Sequence, residues 1–97
     1  IAKAAKLGGY ACPVEPTDVQ VHFSCGQGAN CSTVKGRDAM RQMAALEGIF
    51  LDPLFTGKAF AGLLEMEKAG AFLPKSNIVF LHTGGAVTLL DSFRTSR

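Results

Sequence analysis

The chain contains no tryptophan, a single tyrosine (Tyr10) and no block of like charge. Ten basic residues face eight acidic ones, and the net charge of +2 is scattered, without interleaved aromatics. That excludes the basic stripe with which proteins grip nucleic acid. Apolar runs stay well short of the roughly 20 residues that cross a bilayer, which argues against a membrane partner. The opening Ile1-Ala2-Lys3 has none of the layout of a secretory leader. Cys12, Cys25 and Cys31 are odd in number and lack CxxC spacing. They indicate neither a disulfide framework nor a metal site, and reduced thiols in a cytoplasmic protein are the simplest reading.

What is present is a 97-residue chain that is 47% hydrophobic, enough to pack one small unit. It does not begin with methionine and starts within a helix-forming run, so residues 1–97 are expected to belong to something longer. Residues 1–7 are alanine-rich and helical, with Gly8-Gly9 as a stop. Pro13 and Pro16 suggest an extended connection over 10–17. Residues 18–23 alternate polar and apolar, predicting a strand that buries Val19, Val21 and Phe23. The small-residue loop 24–33 carries Gly26 and Gly28 but lacks the third glycine and following helix of a dinucleotide signature. It reads as a structural loop.

A helix over 35–46, capped by Ser32 or Thr33 and ended by Gly48, should bury Ala39, Met40, Met43, Ala44 and Leu46. The chain then turns at Asp52-Pro53. Gly57-Lys58 is not a phosphate loop, because the required upstream glycine is Asp52 and the residue after Lys58 is Ala59 rather than Ser or Thr. Lys58 is expected to be solvated or ion-paired. The helix over 57–69 places Ala59, Leu63 and Met66 on one stripe with Phe60 and Leu64 beside it, Gly62 packing closely and Gly70 as cap. The run 77–81 is almost wholly apolar and predicts a strand buried on both faces of a parallel sheet. It ends in His82-Thr83-Gly84-Gly85, a strand-to-helix turn ahead of a helix over 87–93. His82 reads as a hydrogen-bonded structural histidine. Ligands of such sheets sit at strand carboxyl ends beside helix N-termini, which makes the hydroxyls of Thr83 and Thr56 the candidates.

EGIFLDPLFTGKAFAGLLE followed by NIVFLHTGGA resembles the C-terminal part of the D-cysteine desulfhydrase and 1-aminocyclopropane-1-carboxylate deaminase family. These are pyridoxal-phosphate enzymes of fold type II, the tryptophan synthase β-like group. The likeness is close over 47–86 and looser over 18–40, where GQGANCSTVKGRDAM stands where the family has a Gly-Pro-Gly-Tyr loop and a helix. It implies that residues 1–97 are the C-terminal part of a larger cofactor-binding α/β domain, with mostly parallel buried strands flanked by helices. The Schiff-base lysine, a neighbouring serine and the phosphate loop would lie upstream, so no catalytic residue is expected in this segment. The longer parent would be a homodimer acting on a small amino acid.

By position, the resemblance assigns Thr83 a hydrogen bond to the pyridine nitrogen of pyridoxal phosphate, with Gly84 and Gly85 also at the cofactor. Phe55, Thr56 and Ala29 would line the substrate pocket. In the deaminase a leucine and a glutamate replace Thr83 and Thr56. A carboxylate there favours a protonated ring nitrogen, whereas a hydroxyl leaves it neutral, so the two threonines point to the desulfhydrase side and β-elimination. Phe55 and Ala29 stand where the family has tyrosines, which leaves the substrate open. The alternatives are a truncated or non-catalytic homologue that keeps the fold as an interaction module and, more remotely, a nucleotide-binding α/β domain.

Overall fold

The computed structural model describes residues 2–11, 15–23, 28 and 31–94. Among them the regular elements are helices α1 (Ala2–Leu7), α2 (Val34–Glu47), α3 (Thr56–Lys68) and α4 (Ala86–Arg94), with one 3-10 turn at Pro16–Asp18. None of these helices is long and apolar enough to cross a membrane.

The expected α/β architecture is overturned: no described residue forms a strand or a sheet ladder. The alternating run over 18–23 begins instead inside the 3-10 turn, where the Asp18 carboxylate accepts the Glu15 N–H at 2.8 Å. Val19, Val21 and Phe23 are exposed, Phe23 to 92%. The apolar run over 77–81 is likewise unpaired, and Val79 is 91% exposed. Hydrophobic alternation makes a segment suitable for a sheet, but a strand exists only when a neighbour accepts its N–H and C=O groups. Neither run finds one among the described residues. Phe80 alone turns inward, its ring meeting Phe60 of α3 edge to face at 5.4 Å.

Packing is concentrated where α2 meets α3, the one pair of described helices in contact. Thr33 caps α2 as expected, its Oγ1 accepting the Gly36 N–H at 3.0 Å, and Gly48 closes it with an N–H to the Ala44 carbonyl. The contacts include the Lys35–Glu65 ion pair, Gly36 against Lys58 and Met40 against Gly57. Leu46, in the last turn of α2, is exposed rather than buried. On α3 the small residues Gly57, Ala61 and Gly62 are buried, while Ala59 is exposed and Leu63 and Met66 are half-buried. A Cβ at Gly57 would come within 2.7 Å of both Met40 Cγ and the Asp52 carbonyl, so the approach itself selects the smallest side chains. The end of α3 is a Schellman arrangement, with Ala71 N–H to Met66 O and Gly70 N–H to Glu67 O. A radius of gyration of 16.0 Å, against about 13 Å for a compact chain of this length, matches so restricted an interior.

Candidate functional site

The first turn of α3 is built on Asp52, four residues upstream of Thr56. The segment from Leu51 to Pro53 is buried, and Asp52 is only 1% exposed. Its Oδ2 accepts the N–H groups of Leu54 and Phe55 at 2.9 and 2.8 Å, and its Oδ1 accepts the Thr56 N–H and O–H at 2.7 and 2.6 Å. The Asp52 carbonyl takes the Gly57 N–H at 2.9 Å, and the Asp52 N–H donates back to Thr56 Oγ1 at 2.9 Å. Donors that a helix N-terminus leaves orphaned are thus gathered on one residue. Burial by itself would raise the Asp52 pKa. The Thr56 hydroxyl and the N–H groups of Thr56, Phe55 and Leu54 outweigh it and hold the carboxyl below its ordinary value.

The turn over 82–85 docks on the same residue. Gly85 has φ +110°, and a Cβ there would lie 2.6 Å from the Cβ, Cγ and Oδ1 of Asp52. Only glycine fits against the carboxylate in that conformation. The Thr88 hydroxyl gives its shorter bond to the Gly85 carbonyl at 2.7 Å and lies 3.3 Å from Asp52 Oδ2. His82 ties the preceding residues down: Nδ1 accepts the Gly84 N–H at 3.1 Å, leaving Nε2–H to donate to the Phe50 carbonyl at 3.0 Å.

The expected site residues therefore have different surroundings. Thr56 is 2% exposed and its hydroxyl is used in both directions by Asp52. Thr83 is exposed, and its hydroxyl has no hydrogen-bond partner among the described residues. Gly84 faces open space, while Gly85 is seated on Asp52. Phe55 presents about half its surface outward while its N–H is held by Asp52. Phe55, Thr56 and Gly85, far apart in sequence, thus converge on one carboxylate. Ala29 lies outside the described residues, but its neighbour Gly28 is tied to the same helix start.

That tie is Lys58, which is 6% exposed and donates from Nζ to the Gly28 carbonyl at 2.6 Å. Its stem crosses Gly36 of α2, where a Cβ would stand 3.2 Å from Lys58 Cγ. The expectation of a solvated Lys58 is corrected: the residue is buried, its stem is packed and its ammonium donates to a backbone carbonyl. Sequence reasoning took Asp52 as a turn residue only. The Asp-Pro step with a hydroxyl four residues on, just ahead of a helix, was the available signal. Nothing in the sequence pointed Lys58 at Gly28. Among the described residues no three His, Cys, Asp or Glu side chains gather as metal ligands.

No family model matches the chain. It is similar to the D-cysteine desulfhydrases of Yersinia pestis (strain Pestoides F) and Yersinia pseudotuberculosis serotype O:1b (strain IP 31758). Each is 51% identical over 55 residues, which is 57% of this chain and 17% of the relative. The chain thus matches well under a fifth of the length of these curated relatives.

Proposed function

We propose that this chain is the C-terminal, cofactor-facing part of a pyridoxal-phosphate-dependent lyase that acts on a small amino acid by β-elimination, as a cytoplasmic homodimer. The observation that carries the reading is the 51% identity over 55 residues to proteins named D-cysteine desulfhydrase. The surroundings of Thr83 support the fit at one edge of the cofactor. An acceptor ring nitrogen needs a free hydroxyl on accessible backbone, and Thr83 is exposed and unpartnered among the described residues beside an open Gly84. When bound, pyridoxal phosphate supplies an electron sink that lets a proton leave the amino acid's Cα and a leaving group depart from its Cβ. Thr83 would donate to the ring nitrogen. Phe55 would offer a flat apolar surface without a donor, and Ala29 a small side chain where the family has a tyrosine. Thr56 would support the pocket through Asp52 rather than through its own hydroxyl. The missing phenol at Phe55 favours the second reading, a homologue without turnover.

The test begins with the reading frame upstream of Ile1, which is expected to encode a lysine in a Ser-Asn-Lys-like context. After incubation with pyridoxal phosphate, borohydride reduction and peptide mapping, the extended protein should carry label on that lysine, and residues 1–97 alone should carry none. Full labelling of Lys58 in the 97-residue chain would overturn the assignment.

A further inference from the structure

We propose that Asp52 is the positioning residue for the turn that carries Thr83: one buried carboxylate seats both the first turn of α3 and the 83–85 turn. One side of the carboxylate takes donors from Leu54, Phe55 and Thr56. Another side is the floor under Gly85, whose missing Cβ would collide with Asp52 Cβ, Cγ and Oδ1 at 2.6 Å. The Thr88 hydroxyl closes the junction, bonded to Gly85 O and 3.3 Å from Oδ2. A residue serving only as a helix cap has no need of a glycine pressed against it. Here the φ of +110° at Gly85 brings the turn onto the cap, so a shift of the carboxylate is passed to the two residues before it. The functional meaning rests on the reading that Thr83 faces the ligand; the seat itself does not depend on it.

The experiment uses the 15N-labelled 97-residue chain, with Asp52→Asn, Gly85→Ala and Thr88→Val, and Glu67→Gln, exposed in the last turn of α3, as a control. Asp52→Asn should move the amide resonances of residues 54–57 and also those of 83–88. It should speed amide exchange at Phe55 and Thr56 by about 10-fold or more. Gly85→Ala and Thr88→Val should in return move the resonances of residues 54–56, and Glu67→Gln should move neither set. If Asp52→Asn disturbs 54–57 and leaves 83–88 in place, Asp52 is only a cap and the proposal fails. If Asp52→Asn unfolds the chain, unmoved 54–56 resonances in the other two variants overturn the proposal, and moved ones support it. No cofactor enters these measurements. An extended protein that does not bind pyridoxal phosphate would refute the functional reading with the seat intact, and silent 83–88 resonances would refute only the seat.

Discussion

Replacing Thr56 with valine separates the two roles open to this residue. Thr56 is 2% exposed; valine keeps the shape of its side chain and deletes the hydroxyl, which donates to Asp52 Oδ1 at 2.6 Å and accepts from the Asp52 N–H at 2.9 Å. A hydrogen bond to a charged group contributes about 1.5–3 kcal/mol, and a buried N–H left unpaired costs about 1–3 kcal/mol. The added methyl recovers about 0.8 kcal/mol through burial, and the two losses overlap because both fall on Asp52. The expected net destabilisation is about 2–4 kcal/mol, a large part of what a small domain has. Urea unfolding of the 97-residue chain, followed by helical circular dichroism, measures it, and Thr56→Ser should recover most of the loss. The pH dependence has a definite sign. The Asp52 pKa is depressed in the folded chain from 3.8, so its contribution is fully present above that value and fades as pH falls through the lower folded value. The gap between native chain and Thr56→Val should therefore be widest near neutrality and shrink in acid. A change below about 0.5 kcal/mol at pH 7, within the range of ordinary surface substitutions, would refute the reasoning and free the hydroxyl for a ligand.

Two predictions concern the extended, lysine-bearing protein proposed above. Thr83→Val would leave the ring nitrogen unpaired, and cofactor affinity or turnover should fall by roughly 5- to 150-fold, measured by titration and steady-state assay; unchanged values would reduce Thr83 to a turn residue. Pockets that hydrogen-bond their substrate discriminate by as much as about 10⁴–10⁵, so the absence of hydroxyls at Phe55 and Ala29 should make D-cysteine a poor substrate beside L-cysteate or β-chloroalanine. Phe55→Tyr with Ala29→Tyr should improve D-cysteine turnover. Efficient turnover without those substitutions, and no gain with them, would contradict this.

The chain by itself determined its helices. Thr33 before α2, Gly48 after it and Gly70 after α3 are local signals, read from neighbours within one turn, and each does in the structure what its residue type predicts. The turn at Asp52-Pro53 was legible for the same reason, and Gly62 is buried. The runs over 18–23 and 77–81 were misread because alternation reports only which side chains could face a core, whereas a strand is completed by a distant backbone. The buried face of α3 is Gly57, Ala61 and Gly62 rather than the larger apolar residues, and at Gly57 the close approach of Met40 and of the Asp52 carbonyl is the reason. The site divides along the same line. Thr83 and Gly84 could be singled out from their order in the chain. The turn of Thr56 to Asp52, four residues away, had a local signal, whereas that Gly85 lies on the same carboxylate and that Lys58 reaches Gly28 30 residues away were decided only by tertiary structure. Hydrogen bonds and close contacts between distant segments have no periodicity in the sequence, and only the packing of α2 on α3 and of the 82–88 segment on Asp52 brings their partners within reach.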